Sequence, residues 1–198
     1  MAIIVDKVQK RRDIALACKE LFVVNGIKSI TISQIAKTAG VGKGTLYDYF
    51  KNKEDIVFEI VNILLQKHNE LKEKKISKVT STKEKIKIFS DFFYSEEEAE
   101  LRELYKDFVS ITLSEPNKEM IEFQSRCFEE YRRWFKEILQ EGIDKGEIIE
   151  KSINLANGLF ALGEGMFISS CVTDTIDDLK KEIDDYIDTL FDLIEVKR

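Results

Sequence analysis

Helix-breaking residues are scarce in this sequence, which has one proline and nine glycines among 198 residues. This scarcity favours long helices over many short strands. The three cysteines, Cys18, Cys127 and Cys171, are widely spaced and form no Cys-x-x-Cys or Cys/His cluster. A structural zinc site and a disulfide framework are therefore not expected. Each cysteine is interpreted as a small buried apolar residue, with redox sensing as the less favoured alternative.

Membrane and export signals are also missing from the sequence. No run of about twenty apolar residues, the length that spans a bilayer, occurs in it. The apolar stretch Met1–Val5 is too short and wrongly flanked for a signal peptide. We therefore expect a cytoplasmic protein with reduced cysteines and no membrane partner.

Catalytic motifs are absent as well. A Ser–His–Asp arrangement would depend on His68, the single histidine, and the sequence has neither a Gly-rich phosphate loop nor an HExxH motif. His68 has polar neighbours near the end of a predicted helix, so we expect it to be exposed rather than to contact a ligand. The sequence thus predicts no enzyme, no cofactor and no metal. An enzyme is the remote alternative, and it would need His68 or a carboxylate pair that the sequence does not identify.

The charge is divided unevenly along the chain. Residues 1–54 contain ten Lys and Arg against five Asp and Glu, a net charge of +5. Residues 55–198 contain 21 against 32, a net charge of −11. A basic N-terminal module on an acidic body directs the N-terminal end toward phosphate. This division predicts a DNA-binding domain over 1–54 and a separate body over 55–198.

The strongest pattern lies in residues 31–53, which have the spacing of two short helices joined by a glycine turn. Thr31 is a good N-cap, and Gln34 three residues later completes a capping box. The turn Gly40–Gly42 ends this helix and restarts the chain. Another helix is predicted over about 7–25, so the N-terminal module has three helices.

The helix that opens at Lys43 has an inner and an outer side. Leu46 and Phe50 are four residues apart and point inward, toward the preceding helix. The outer side and its flanks carry Lys43, Gly44, Thr45, Tyr47, Asp48 and Tyr49. Hydroxyls, one cation and a bare glycine suit a DNA major groove. The pattern therefore predicts a helix-turn-helix with a recognition helix over 43–49.

This run resembles the DNA-binding signature of the TetR family of bacterial transcription regulators, roughly T-x-x-x-I-A-x-x-A-G-V-S-x-G-T-L-Y-x-Y-F-x-x-K. The match has no gaps and lies in the first part of the chain. At Gly42 the signature usually has Ser; glycine still serves as an N-cap at a cost of a few tenths of a kcal/mol, but a hydroxyl that could touch phosphate is lost. The matching residues are Thr31, Ile35, Ala36, Ala39, Gly40, Val41, Gly44, Thr45, Leu46, Tyr47, Tyr49, Phe50 and Lys53.

The resemblance implies an all-α fold, with a three-helix helix-turn-helix head and a C-terminal helical bundle that binds an effector and dimerises. The predicted dimer interface consists of helices at about 152–171 and 175–196. A homodimer also matches the physics, because one head makes few base contacts and two heads read a palindromic operator. In the resembling family, the helix that begins near Lys53 ties the head to the body.

Residue types on the recognition helix suggest how it contacts double-stranded DNA. Lys43 could read guanine, the Thr45 methyl could touch thymine, and the Gly44 backbone permits close approach. Asp48 is unusual beside phosphates, and it either accepts from cytosine or excludes competing sequences. Phosphate contacts are expected from Thr31, Thr45, Tyr47, Tyr49 and Lys53.

The basic run Lys10–Arg12 at the start of the first helix has two equally weighted interpretations. One is a solvated face, and the other is contact with phosphate or the minor groove.

Apolar spacing predicts further helices in the body. Small residues within 152–171 cost helix stability, so they indicate close approach of another helix. Thr175 is the predicted cap of the last helix, and residues 141–147 are predicted as a turn. The predicted helices extend over about 53–75, 83–94, 96–111, 118–140, 152–171 and 175–196.

Aromatic residues crowd the middle of the body. At helical spacing they are most often core residues, but the resemblance implies an effector cavity that several of them could line. Glu164 is either a buried carboxylate that pairs with a cationic effector beside Tyr131 or Trp134, or, by the favoured interpretation, an interface or backbone-bonded acid. The candidate effector-binding residues are Phe89, Phe92, Phe108, Phe128, Tyr131, Trp134, Phe160, Glu164 and Phe167.

The sequence therefore predicts a homodimeric, ligand-responsive repressor that is released from its operator by a small apolar or aromatic effector. The alternative is a DNA-binding factor of the same fold with an aromatic-filled body, controlled by a protein partner or acting architecturally.

Overall fold

The computed structural model describes residues 6–115 and 117–197, and these form helices, turns and one isolated bridge between Ile148 and Glu195. The predicted all-α class is confirmed; the prediction about Met1–Val5 lies outside the described residues. Short 3₁₀ segments occupy Asp91–Phe93, Glu96–Glu98 and Glu150–Leu155. The α-helices are α1 (Lys7–Asn25), α2 (Ile32–Thr38), α3 (Lys43–Tyr47), α4 (Lys53–Ile76), α5 (Thr82–Ser90), α6 (Ala99–Ser114), α7 (Lys118–Asp144), α8 (Ala156–Val172) and α9 (Leu179–Ile194).

Local hydrogen bonds explain where the first helices begin and end. Asp6 caps α1, because its Oδ1 accepts from the backbone N–H of Val8 at 2.9 Å. The capping box of α2 is confirmed: Thr31 Oγ1 accepts from Gln34 N at 3.3 Å, and Gln34 Oε1 accepts from Thr31 N at 2.9 Å. Gly40 then turns the chain with a φ of 66°, a conformation that glycine adopts without strain.

The described chain divides into two compact units. The first comprises the residues up to His68 together with 100–123. Its core contains both inward-facing residues predicted for α3, Leu46 and Phe50, which are buried. Cys18 is buried against α2 and its Sγ donates to the carbonyl of Ile35 at 3.6 Å. Burial raises the pKa of the Cys18 thiol to about 11, as expected for a structural cysteine rather than a reactive one. The expectation that each cysteine is buried is wrong for Cys171, which is exposed, and Cys127 is half-buried.

The second unit comprises Asn69–Ala99 and the residues from Gln124 onward. Within it α9 packs on both α5 and α8. A Cβ atom at Gly163 of α8 would overlap the ring of Phe93, so this glycine permits a close approach, as predicted. The partner is a 3₁₀ segment rather than another helix. The buried apolar residues here include Ile86, Phe89, Phe93, Phe135, Leu139, Phe160, Phe167, Ile183, Ile187 and Phe191.

The turn predicted at 141–147 begins too early. Helix α7 continues to Asp144, so Gly142 lies inside the helix. A Cβ atom at Gly142 would overlap the side chain of Thr82, which explains a glycine there without a turn. The chain turns at Gly146 instead, where φ is 68°.

Several other predicted helix ends are also corrected. Helix α3 ends at Tyr47 rather than at 49, and α5 ends at Ser90 because the chain tightens to a 3₁₀ turn. The cap of α9 is Asp178, whose Oδ1 accepts from Lys181 N at 2.9 Å, rather than Thr175. A carboxylate is a charged acceptor at the positive end of the helix dipole, and it is therefore the stronger cap.

The expectation that His68 is exposed is wrong, since only 4% of the residue is accessible. It lies seven residues after the buried Val61, on the inward side of α4. Helical periodicity, rather than the polarity of its sequence neighbours, determines its burial.

One segment, Glu150–Val172, is long and apolar enough to cross a membrane by length and composition, and 28% of its apolar window is buried. A single helix of this kind is a weak indication of a membrane span, and α8 carries the charged Glu164 within it. Its exposed apolar side therefore needs another explanation.

Candidate nucleic-acid interface

Helix α3 presents a polar outer surface and one buried anchor. Leu46 is 1% exposed, whereas Tyr47 is 56% exposed. Lys43, Gly44, Thr45 and Asp48 are also exposed. The structure thus brings five of the predicted DNA-contacting residues onto one surface, which offers an ammonium, two hydroxyls and a carboxylate for contact with a nucleic acid.

Neither packing nor backbone conformation within the described fold requires a glycine at position 44. Apart from its two chain neighbours and the nearby backbone of α3, no described residue has an atom within 4 Å of a Cβ built on Gly44. Among those residues, positive φ values occur at Gly26, Gly40 and Gly146 only, so the backbone of Gly44 does not require glycine. A glycine in the first turn of an exposed helix costs stability relative to alanine. The described fold therefore leaves open space beside this turn.

Tyr49 and Lys53 are less accessible than the exposed residues of α3. Both are half-buried, and the carbonyl of Tyr49 accepts a hydrogen bond from Arg11. Lys53 Nζ donates to the carbonyls of Lys28 at 3.0 Å and Ile30 at 3.4 Å. Lys53 therefore holds the loop before α2 in this structure.

Thr31 is exposed at the N-terminus of α2, but its hydroxyl is already used in the capping box. Thr31 Oγ1 donates to Gln34 Oε1 at 2.8 Å and accepts from Gln34 N.

Arg11 has a structural role that the sequence pattern left open. Its guanidinium donates to Asp55 Oδ1 at 2.7 Å and to Glu59 Oε2 at 2.9 Å, and it lies 4.3 Å from the centroid of the Phe50 ring. Burial alone would raise the pKa of Asp55, but hydrogen bonds from Arg11 and the backbone of Lys51 outweigh burial and hold that pKa below its usual value. Arg11 thus joins α1 to α4.

Helix α6 belongs to the same unit and holds the loop after α1. Asp107 Oδ2 accepts from the backbone N–H of Ile27 at 2.9 Å. Phe108 packs against both Phe58 and Phe123, with ring centroids 5.7 Å from each. This predicted effector-binding residue therefore lies in the first unit.

The other eight predicted effector-binding residues lie in the second unit. Phe89 contacts Tyr131 and Trp134, with centroid distances of 5.2 and 5.5 Å. Phe160 contacts Phe128 at 4.4 Å and Tyr131 at 5.4 Å. The structure thus joins five of the predicted aromatic residues in one cluster.

The remaining predicted residues of this unit lie around that cluster. Phe92 lies 6.4 Å from Tyr131 and 5.2 Å from Phe93, measured between ring centroids. Phe93 in turn lies 6.3 Å from Phe167. Glu164 on α8 is half-buried.

Sequence reasoning missed Lys72, which is buried with 5% exposure among these rings. Its Nζ lies 3.4 Å from the centroid of the Trp134 ring. Lys72 follows His68 by four residues and Val61 by eleven, so helical periodicity places it on the inward side of α4. The spacing alone therefore indicates that Lys72 is buried, although lysine is hydrophilic and is rarely found in such a position.

Comparison with protein families matches residues 14–60 to the model described as "Bacterial regulatory proteins, tetR family". The matched range contains α2, α3 and the start of α4, where the exposed residues lie. The sequence is 31% identical over 134 residues to the fatty acid metabolism regulator protein of Bacillus subtilis, and the match covers 68% of each chain. It is 30% identical over 125 residues to the HTH-type transcriptional regulator QacR of Staphylococcus aureus, covering 60% of this chain and 65% of the other.

Solved structures share the whole fold. A TetR-family regulator from Cytophaga hutchinsonii superposes with a TM-score of 0.81 at 16% identity, covering 98% of this chain and 99% of the other. A proposed fatty acid metabolism regulator from Clostridium perfringens superposes with a TM-score of 0.67 at 29% identity, covering 93% of this chain and 100% of the other.

Proposed function

This chain belongs to the TetR family of bacterial transcription regulators, and from this premise we propose that it is a homodimeric repressor gated by a small effector. As a member of the family it is a DNA-binding transcription regulator and not an enzyme. In the proposal, two heads bind a palindromic operator, and an apolar or aromatic effector in the body releases them. The single observation that carries it is the exposed first turn of α3, where Gly44 is free of internal crowding.

The proposed DNA contacts follow from exposure and chemistry. Lys43 reads a guanine edge, Gly44 lets the helix approach the base edges, and the Thr45 methyl touches thymine. Tyr47 donates its hydroxyl to a phosphate, and Asp48 accepts from cytosine or disfavours competing sequences. Thr31, Tyr49 and Lys53 complete the proposed phosphate contacts, for which Lys53 must exchange its carbonyl partners for a phosphate.

We assign DNA binding to residues 1–54 and effector binding with dimerisation to 55–198. This division is based on the partner that each part is proposed to contact and on its net charge, which is +5 for residues 1–54 and −11 for residues 55–198. The opposite charges keep the body away from phosphate and direct the head toward it. The proposed location is the cytoplasm, where the regulator meets chromosomal DNA.

The proposed dimer interface uses the exposed sides of α8 and α9. Gly158 and Gly165 have no described atom within 4 Å of a built Cβ, so a second helix can approach α8 there. Val172 and Leu193 are 73% and 75% exposed. Burying such residues against a second copy removes apolar surface from water. This interface also accounts for the apolar, little-buried segment 150–172.

The proposed effector site is the aromatic cluster of the second unit, between α5, α7 and α8. Rings with a few polar groups among them are typical of sites for small apolar molecules. The Bacillus subtilis relative is named as a regulator of fatty acid metabolism, and fatty acids are largely apolar molecules. A coupling of about 1–3 kcal/mol between effector and operator is the size expected for such regulators.

One observation favours the alternative, in which a protein partner or an architectural role replaces the effector. The rings pack closely, with Phe89 and Phe135 centroids 3.9 Å apart, as in a filled core. A body of this kind would respond to no small molecule.

The proposal is tested by fluorescence anisotropy of the protein on labelled duplex from the region upstream of its own gene, across salt concentrations and with a varied compound library. We expect tight binding with a steep salt dependence and release by at least one compound. A scrambled duplex is the control. Binding that no compound releases supports the alternative. If selection from random duplexes enriches no palindromic motif, the proposed operator recognition is wrong.

A further inference from the structure

Three aromatic rings surround the ammonium of Lys72. The Nζ atom lies 3.4 Å from the centroid of Trp134, and 4.8 Å from the centroids of both Phe89 and Tyr131. We call these three rings the cage. Phe89 comes from α5, and Tyr131 and Trp134 come from α7, so the cage is formed by side chains of two helices other than α4.

The cage has the chemistry of a cation-binding site. The faces of aromatic rings carry negative potential, and a desolvated cation within about 6 Å of a ring centroid gains most from it. Carboxylates strengthen the preference, because Glu130, Glu73 and Glu98 all act to raise the pKa of Lys72. Both the rings and these acids therefore favour a positive charge at this position.

Lysine is a poor permanent occupant of such a site. Burial outweighs the three acids and lowers the pKa of Lys72 to about 7, so near neutral pH the amine loses its proton readily. A primary ammonium is strongly hydrated, and burying it forfeits that hydration. A quaternary ammonium is less hydrated and has no proton to lose, and it would keep its full charge inside the cage.

Lys72 also has a hydrogen-bond partner beside the cage. Its Nζ donates to Asn69 Oδ1 at 3.0 Å, and Asn69 is half-buried one turn earlier on α4. A lysine has four rotatable side-chain bonds and often extends its head toward water. Lys72 can thus leave the cage along the edge of α4 without breaking that helix.

We propose that the cage of Phe89, Tyr131 and Trp134 is a binding site for a small organic cation of the quaternary ammonium class, and that Lys72 occupies it as an internal substitute. When the cation binds, the Lys72 ammonium leaves the cage past the half-buried Asn69 toward water. The role of this cation as the effector rests on the proposed function. The binding site itself is inferred from the geometry of the cage and does not depend on that function.

An anionic ligand is the competing possibility, with Lys72 as its counter-ion. The acids argue against it, since the field of Glu130, Glu73 and Glu98 repels an anion from the same position. The two possibilities predict opposite effects of removing Lys72. A cation binds more tightly without its internal competitor, whereas an anion loses its partner.

Trp134 makes the experiment direct, because it is the single tryptophan of the chain and its emission reports the cage. The full-length protein is titrated with benzyltrimethylammonium, with benzyl alcohol, which has the ring without the charge, and with octanoate as the anion. We expect a saturable change of tryptophan emission with the cation, and about tenfold weaker binding of benzyl alcohol.

Removing the internal competitor is the decisive variant. Lys72→Ala should tighten benzyltrimethylammonium binding about fivefold or more, and Phe89→Leu should weaken it about tenfold. The matched control is Lys180→Ala, whose Nζ lies 5.4 Å from the ring of Tyr94 and whose side chain is 61% exposed; it should leave affinity unchanged. If Lys72→Ala does not fold, Lys72→Met keeps the volume and should retain cation binding.

Two results would overturn the inference. One is octanoate binding that Lys72→Ala or Lys72→Met abolishes, which makes Lys72 a counter-ion. The other is the absence of cation binding in both the natural protein and a folded Lys72 variant, which makes Lys72 a core residue only.

Different experimental results would contradict the proposed function and the cation site. If the cation changes Trp134 emission but does not release operator DNA, the site stands and the effector role fails. If another compound releases the operator while the cation leaves Trp134 unchanged, the ligand-gated repressor stands and the cation site fails.

Discussion

The carboxylate of Asp107 on α6 accepts a hydrogen bond from the backbone N–H of Ile27, with 2.9 Å between Oδ2 and N. Gly26 makes this approach possible, since its φ is 73° and a built Cβ would lie 3.1 Å from the same oxygen. The hydrogen bond joins residues 80 positions apart and holds the loop that leads into α2. The position of α2, and of α3 after it, therefore depends on α6.

Removal of the Asp107 carboxylate should destabilise the first unit. Asp107→Ala is expected to lower the free energy of unfolding by about 1.5–3 kcal/mol, because a charged acceptor is lost from a half-buried N–H. Asp107→Asn keeps an oxygen acceptor and should cost less. Urea denaturation measures both. Glu103→Ala, on the same helix but in an exposed pair with Lys106, is the control; an equal loss there would contradict the role of Asp107.

Tyr47→Phe should weaken operator binding about tenfold while leaving the melting temperature unchanged, since it removes one hydroxyl that donates to a charged phosphate. Anisotropy and thermal melting measure the two effects. Tyr186→Phe, on the exposed side of α9, is the matched control. Normal binding by Tyr47→Phe would refute the phosphate contact.

Leu46→Asp, which places a carboxylate in the core of the head, should instead unfold the head because burying an unpaired charge is costly.

Gly44→Ala should raise stability and lower DNA affinity at once. The added methyl meets no described atom within 4 Å, and alanine favours the helix by up to about 1 kcal/mol. The same methyl would separate α3 from the base edges. Asn62→Ala, at an exposed position of α4, is the control and should gain stability without losing affinity. Unchanged operator binding by Gly44→Ala would show that α3 does not approach DNA closely through this residue.

Lys72→Met should raise the free energy of unfolding at pH 7 and reduce its dependence on pH. The folded-state pKa of Lys72 is about 7 against 10.5 for an ordinary lysine. Between these values the unfolded chain binds more protons, so stability rises as pH increases, by at most about 1.4 kcal/mol per pH unit.

Urea denaturation at pH 7, 8 and 9 measures the effect of Lys72. Lys67→Met, on an exposed position of the same helix, is the control and should leave the slope unchanged. The phenol of Tyr131 also faces the amine, and burial raises its pKa far above this range. An identical slope in natural protein and Lys72→Met would contradict the buried, weakly basic lysine.

Ala161→Glu should convert the proposed dimer to monomers, because it places a charge on the exposed, glycine-rich side of α8. Sedimentation velocity measures the change, and operator affinity should fall as the paired heads separate. Ser125→Glu, on an exposed position of α7, is the matched control. A variant that remains dimeric with Glu at 161 would place the interface elsewhere.

Much of the head could be predicted because its signals are local. The capping box of Thr31 and Gln34, the turn at Gly40, and the inward pair Leu46 and Phe50 depend on residues within a few positions of one another. Short-range hydrogen bonds and helical periodicity act within such distances. Predictions of this kind succeeded, apart from the end of α3.

Other predictions failed where a distant residue decides the outcome. A glycine at position 142 is typical of a turn. It lies inside helix α7 instead, because a Cβ atom there would overlap the side chain of Thr82. Phe108 has the spacing of the other aromatics, yet it packs with Phe58 and Phe123 in the first unit. No local pattern distinguishes these cases, since the deciding atoms are far apart in the chain.

The sequence by itself determined the all-α class, the helix-turn-helix, the division of charge and the residues on the outer side of α3. Each of these depends on periodicity or composition, which are properties of neighbouring residues. The tertiary structure alone decided that Arg11 is held by Asp55 and Glu59, and that Asp107 holds the loop at Ile27. It alone placed Lys72 within three aromatic rings, because a charge becomes buried only where separate helices pack around it.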